Sequence, residues 1–523
     1  MNKREGVTLR RNIKLSVLSV LLLSSVLTGC TSTSPATSPT PAVSDTATKS
    51  TGPVAIETSI NGWGVKIPED DFEKKTLDEK LGLNLKVTSG LNADDYKAQL
   101  NVRAASNSLP DLMYLEKVQY QEFAKNGLLL DLAPYLDKLK DVKSVLGEEN
   151  FKKSVVNGKQ FGFTLKPNLF VEAYWIRKDW LDKLGLKQPT TPDELFNVAK
   201  AFTENDPDGN GKKDTYGITG DASTVFNGIF TLFGTVNSAT AGGPNIPMPG
   251  GFYLRDGKLI NSLYDPNTKQ ALAYIQKLIA ANVVDPDATS AKPADSTTKA
   301  YQGKAGIIYN NWTNFARVDS LTKIKAANPN AEWVLIDNLK SPLGGQVGIV
   351  DAGAVSQYVA IPATLAKSPE KLDAIFKLLS YTSKGEGSNL VQFGVKDRHF
   401  TQDGDKITLT DKATEASYSW IYQFVGRPEQ QYLATKFPAS AAVIKKSVEL
   451  PRITILNGFI DLPEGFQAAD VRRYIEEEFL KFEYGKSSLD DYDKFLQTLE
   501  KTFKYTLLVD QANKQLKENG TLK

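Results

Sequence analysis

The sequence predicts an α/β protein of two lobes, with strands and helices arranged as an α/β layer on a parallel sheet. Three observations carry this expectation. After residue 54, strand-like and helical segments alternate over short connections, the pattern of a parallel sheet covered by helices. The chain has 523 residues, whereas one core usually takes ~100–200. Hydrophobic residues make up 41% and charged residues 24%, an ordinary globular mixture that excludes both global disorder and a polytopic membrane protein.

Residues 1–29 read as a targeting segment. Lys3, Arg4, Arg10, Arg11 and Lys14 precede the apolar stretch Leu15 to Leu27. That stretch is too short for a membrane span and right for a signal core. It ends in Leu27-Thr28-Gly29-Cys30, which resembles the bacterial lipobox, where Cys30 is lipidated after cleavage and becomes the new N-terminus. Residues 30–53 are mostly Ser, Thr, Pro, Ala and Asp. They cannot bury enough apolar surface to order themselves, so a flexible tether is expected. The net charge of +2 owes its sign to the signal segment, and the body without it is slightly acidic.

In the body, Asp71 to Leu81 reads as a helix, Leu83 to Val87 as a strand, and Ala93 to Ala105 as a helix. Pro110 to Leu115 is strand-like and Tyr120 to Leu128 helical. Asn157-Gly158 turns the chain into a strand over Gln160 to Leu165. Val171 to Arg177 is extended and leads into a helix that Gly185 stops. Thr191-Pro192-Asp193-Glu194 has the residues of a capping box opening the next helix. Ser368-Pro369-Glu370 begins another, with Leu372, Ile375, Phe376 and Leu379 at helical spacing. From Ala468 onward the chain is amphipathic helix, broken at Gly485.

Two counts exclude much chemistry. One cysteine, Cys30, rules out a disulfide within the chain. One histidine, His399, leaves zinc hydrolases without ligands and serine or thiol hydrolases nearly without a base. Adjacent acids such as Asp70-Asp71 point apart and make no glycosidase pair. No phosphate-binding glycine loop occurs. Nor is there a basic, aromatic-interleaved stretch to bind nucleic acid.

Four segments recur in a familiar order: Ser108 to Met113 (SLPDLM), Ile176 to Leu186 (IRKDWLDKLGL), Pro189 to Leu195 (PTTPDEL) and Gln302 to Ile307 (QGKAGI). Ala360-Ile361-Pro362 before the Ser368 helix fits as well. In this order behind a lipobox, they resemble family 1 extracellular solute-binding proteins, especially the large lipoprotein-type members of Gram-positive bacteria. The resemblance spans roughly residues 55–460. It implies a two-lobe, type II periplasmic-binding-protein-like fold with the ligand cleft between the lobes, several chain crossings, and delivery to an ABC importer. The lobes are expected as 54–170 with 305–360, and 171–304 with 361–523.

The sharpest local pattern runs from Asp206 to Asp214, DPDGNGKKD. Calcium wants six to eight oxygens in a flexible loop. Asp206, Asp208, Asn210, the Lys212 carbonyl and Asp214 take positions 1, 3, 5, 7 and 9 of an EF-hand-like loop, and Gly211 takes position 6. Alginate-binding members of the family resemble it here. Position 12 is Gly217, however, so the bidentate Glu is missing. A structural Ca2+ is the expected cofactor, and a polar surface turn is the alternative.

Sugar sites pair aromatic platforms with carboxylate or amide acceptors. Trp63 follows the first strand and Trp312 follows the strand Ala305 to Tyr309, where sheet ends face a crevice. On Val171 to Arg177, alternation puts Glu172 and Tyr174 on one face and Trp175 and Arg177 on the other. Trp420, Tyr422 and Asp351 complete the candidate ligand contacts, and core packing is the competing reading for each aromatic. The function expected is a membrane-anchored, extracellular, monomeric receptor that closes on an oligosaccharide and passes it to the permease subunits of an importer. A lipid-anchored polysaccharide-active enzyme and a glycan sensor without transport remain open at this point.

Overall fold

A computed structural model describes residues 52–522, apart from 63, 166–171, 242–247, 347 and 352–356. The predicted Cys30 anchor, its tether and Trp63 lie outside the described residues.

The first lobe starts as the sequence dictates. Strand β1 (Val54–Ser59) is followed by helix α1 (Phe72–Leu81), where Asp71 is the cap and accepts from the Lys74 N–H at 3.1 Å. Such a cap contributes about 1 kcal/mol. Gly82 ends the helix in the left-handed region at φ 66, where a side chain is disfavoured. Strand β2 (Leu83–Thr88) runs parallel to β1, from Val54 opposite Leu83 to Ser59 opposite Thr88. Helix α2 (Ala93–Ala105) has the expected bounds because Asn92 caps it. Strand β3 (Leu112–Leu115) pairs parallel with β1 on its other side. Helix α3 (Lys117–Lys125) begins and ends three residues earlier than its apolar spacing suggests, directly after β3.

Two five- and four-stranded sheets organise the body. The first has the order β2, β1, β3, Tyr358–Ala360, Gly162–Thr164. The second has the order Trp333–Leu335, Glu172–Arg177, Ala305–Asn311, Tyr216–Thr219. The lobes therefore divide differently from the expectation. Ala305–Asn311, expected in the first lobe, is bonded to Glu172–Arg177 in the second. Helix Pro369–Ser383, expected in the second, buries Ile375, Leu378 and Leu379 with Ile56 and Leu112 of the first. Alternation of strand and helix reveals the class but not which sheet a returning strand joins. The C-terminal helices Ala468–Glu483, Tyr492–Lys501 and Thr506–Glu518 do pack in the second lobe, with Phe479, Leu499 and Leu508 against Ile176 and Ile275.

Helix Pro192–Glu204 opens on Thr191, whose hydroxyl accepts from the Glu194 N–H at 3.2 Å. The reciprocal bond differs from a regular capping box: Glu194 takes the N–H and hydroxyl of Thr190, both at 2.7 Å. Among the described residues, no helix is long and apolar enough to cross a membrane.

Candidate functional site

The sheet topology fixes where a site can form. In the first sheet, Tyr358 opposes both Leu115 and Thr164, so the carboxyl ends of β1, β2, β3 and Gly162–Thr164 share one edge. In the second, Asn311 opposes Glu172, which puts the start of that strand beside the carboxyl end of Ala305–Asn311. The chain passes from Thr164 to Glu172 in eight residues, so these two edges lie at most roughly 28 Å apart. A second passage, from Asp351 to Tyr358, also reaches the first edge. Ligands of open α/β sheets bind outside the carboxyl ends of strands, and here both lobes turn those ends to the segments that join them.

The wall supplied by the second sheet is polar. Glu172 is partly buried, and burial with the Asp221 carboxylate nearby pushes its pKa up to about 7. Asp221 is 4% exposed and accepts from the Ser223 N–H at 3.0 Å and the Ser223 and Thr224 hydroxyls, both at 2.5 Å. Asn310 holds the end of its strand. Its carbonyl accepts from Trp175 Nε1 at 3.1 Å, and its side-chain oxygen from the Asn311 N–H and Asn314 Nδ2, both at 2.7 Å. On the first lobe, the turns after β1 and β2 meet closely. A Cβ on Gly62 would lie 2.8 Å from the Gly90 nitrogen, so only glycine lets the two turns touch.

Only part of the predicted set gathers at this edge. Glu172 is there, and Trp312 follows its strand, but Trp312 is buried with its ring 5.6 Å from Phe437. Tyr174 and Trp175 lie on opposite faces, as alternation placed them, but both are core residues rather than ligand contacts, because their strand lies between two others and is covered on both faces. Arg177 ends the strand at the opposite edge, 1% exposed and paired bidentately with Asp179 at 2.8 and 2.6 Å. Tyr422 is buried in the first lobe, where its hydroxyl and that of Tyr418 donate to Asp71. Trp420, two residues before Tyr422, is partly exposed against the same core. Asp351 ends a strand paired with Arg452–Thr454. Sequence reasoning missed Asp221 and Asn310. The one available signal was a pair of amides closing an apolar strand.

The loop from Asp206 to Asp214 gathers oxygens around itself. The Asp206 carboxylate accepts from the N–H groups of Gly209, Asn210 and Gly211 at 3.0, 3.0 and 2.9 Å. The Gly211 bond is the chief reason its pKa is lowered. Asn210 Nδ2 donates to Asp208 at 2.7 Å and Asp214 at 3.1 Å, while the Asn210 side-chain oxygen accepts from the Lys212 N–H at 2.8 Å. Lys304 pairs with Asp214 at 2.6 Å. Among the described residues, no three acidic, His or Cys side chains are set to hold a metal ion. The donors are all hard oxygens and fit Ca2+ by chemistry, once the Asn210 amide turns its oxygen inward. Gly217 supplies no twelfth-position ligand, since a Cβ there would meet the Ala199 carbonyl at 2.4 Å.

Comparison with known proteins decides the family. Residues 67–381 match the family model described as bacterial extracellular solute-binding protein. The chain belongs to that family. Among members of known sequence, it is 26% identical over 373 residues to lipoprotein LipO of Bacillus subtilis, covering 69% of this chain and 70% of that one. It is 23% identical over 414 residues to the polygalacturonan/rhamnogalacturonan-binding protein YtcQ of the same organism, covering 77% and 80%. A solved structure of the S. pneumoniae substrate-binding protein FusA, an EF-hand mutant in complex with fructo-nystose, superposes with a TM-score of 0.64 at 18% identity, over 89% of this chain and all of that one. This solute-binding protein thus has the two-lobe fold of the family, and the polar edges described above lie where its lobes are joined.

Proposed function

We propose that this protein captures a carbohydrate between the two sheet edges and hands it, chemically unchanged, to an ABC importer. The observation that carries this reading is the family match over residues 67–381, which takes in strands of both sheets. A relative named for binding polygalacturonan and rhamnogalacturonan, and a structural neighbour solved with fructo-nystose, give the cargo its class. Glu172, Asp221 and Asn310 supply the acceptors and amide that sugar hydroxyls need, with Trp63, Trp420 and Asp351 proposed to complete the site from neighbouring segments. Ligand touching both lobes stabilises the closed arrangement and shifts the population toward it.

Cys30 is read as the lipid anchor that keeps this receptor at the outer face of the membrane, in keeping with a relative named as a lipoprotein. Asp206, Asp208, Asn210, the Lys212 carbonyl and Asp214 are read as the holders of a structural Ca2+, which would pin their loop and take no part in capture. The FusA EF-hand mutant supports that reading.

The test is a thermal-shift screen of fructo-oligosaccharides and oligogalacturonides, with reducing ends assayed in parallel. A saturable rise with one sugar class and no new reducing ends is expected, since a ligand stabilises by RT ln(1 + [L]/Kd). No shift with any sugar, or release of reducing ends, overturns the reading.

A further inference from the structure

Lys117 opens α3 in the first lobe, yet its ammonium is spent on the second. Its helix is rooted in the first core, where Tyr120 and Phe123 pack with Met113 and Tyr358. Lys117 Nζ donates to the carbonyls of Ile460 at 2.6 Å, Gly458 at 3.0 Å and Asn457 at 3.3 Å, with the Asp461 carboxylate 3.9 Å away. That turn is anchored in the second lobe. Asn457 bonds the Gly250 carbonyl and the Phe252 N–H at 2.8 and 2.9 Å, and Ile460 is buried with Ile475 and Leu508. Gln121, one turn along α3, donates to Asp461, which Gln515 holds from the second lobe. The Lys153 ammonium lies 5.0 Å from the Phe459 ring centre.

The physics makes this contact selective for one placement of the lobes. Lys117 is 7% exposed, and a buried ammonium is costly unless its donors are met. An ammonium carries three donors, and three carbonyls of the other lobe meet them. Charge-assisted bonds of this kind are short and directional, so a shift of a few ångströms between lobes loses them together. Burial lowers the Lys117 pKa to about 8, which leaves it mostly charged at neutral pH. Beside the contact lies a cavity of about 500 Å³, lined by Tyr120, Lys153 and Tyr358 from one lobe and Phe459, Asp461 and Gln515 from the other. The polar bonds that join the lobes here are thus flanked by open space.

We propose that Lys117 is a positioning residue for ligand capture: it latches the first lobe to the Asn457–Ile460 turn and sets the relative placement in which the two sheet edges meet their ligand. This rests on the reading that capture works by movement of the lobes.

The test needs no ligand. Spin labels go on Val102→Cys and Val318→Cys, 69% and 63% exposed on the first and second lobes, in the full chain carrying Cys30→Ser. The distance between them is read by double electron–electron resonance. A narrow distribution is expected with Lys117, one broadened or moved by several ångströms with Lys117→Met, and a retained narrow one with Lys117→Arg. Should Lys117→Met not fold, Asp461→Ala at a one-third exposed position decides, with a smaller broadening expected. A distribution unchanged in Lys117→Met, or in Asp461→Ala where that variant decides, overturns the latch. It would leave the carbohydrate reading standing, just as failure of every sugar to bind would leave these distances as they are.

Discussion

Two buried cations, Arg177 and Lys117, show how differently the same kind of residue is used in the two lobes. Arg177 stays within its own lobe. It pairs with Asp179, two residues on, and its guanidinium lies 4.4 Å from the Trp180 ring centre and 5.8 Å from that of Trp333. Lys117 instead crosses to the other lobe, where its hydrogen bonds go to backbone carbonyls and the Asp461 carboxylate lies 3.9 Å away. A cation neutralised locally strengthens one core. One that spends its donors across a joint ties the positions of two cores. Arg is suited to the first task by its planar fork and aromatic stacking, and Lys to the second by three rotatable donors on a flexible stem.

The comparison breaks most readily at Arg177. Arg177→Met removes the cation from its pair with Asp179, which is partly exposed and keeps the Glu332 N–H, and gives up two charge-assisted bonds at about 1.5–3 kcal/mol each. Denaturant melts should record that loss, while the distance between the lobes stays at its parent value. Lys117→Met should do the reverse: a smaller loss of stability, about 1–3 kcal/mol for the bonds given up, with the distance altered. Equal effects of both variants on both readouts would erase the distinction.

Glu172 sharpens the contrast between core and cleft. Its pKa is raised from 4.5 to about 7, so the folded protein holds a proton that the unfolded chain releases. Its contribution is therefore intact below pH 4.5 and is lost as pH rises toward 7. Glu172→Gln should match the parent at pH 4.5 and exceed it at pH 7.5 by on the order of 2 kcal/mol, measured by urea melts at both values. The same variant should weaken sugar binding, the mark of a residue kept for the ligand at some cost in stability.

The smallest effect is expected at the Asp206 loop. Chelator should lower the melting temperature of the parent by a few degrees and leave Asp208→Ala unmoved. Identical melting of the parent with and without chelator would remove the calcium.

Much of the fold was legible because local signals and global structure agree. Thr191 caps the helix it was placed before, the helices expected from Asp71 and Ala93 begin within a residue of those positions, and β2 follows α1 after a single Gly. What the sequence could not carry was partnership between distant segments. Ala305–Asn311 reads as a strand from its apolar run, but nothing local says that it lies beside Glu172–Arg177. The same limit explains the site. Alternation placed Glu172 and Tyr174 on one face, yet the strand is interior, so Glu172 at its mouth is partly open while Tyr174 is sealed. Asp221 belongs to no motif and becomes relevant only because the fold sets it beside Glu172. Lys117 looks like any lysine beginning a helix until the turn 340 residues later is seen to lie against it.

The most direct test of the account is to recover the cargo. The protein is incubated with a pool of fructo-oligosaccharides and oligogalacturonides, washed, denatured, and the released sugars weighed by mass spectrometry against the starting pool. Enrichment of one sugar class at its original mass is the predicted result. Recovery of shortened or otherwise altered sugars, or of none above background, would contradict it.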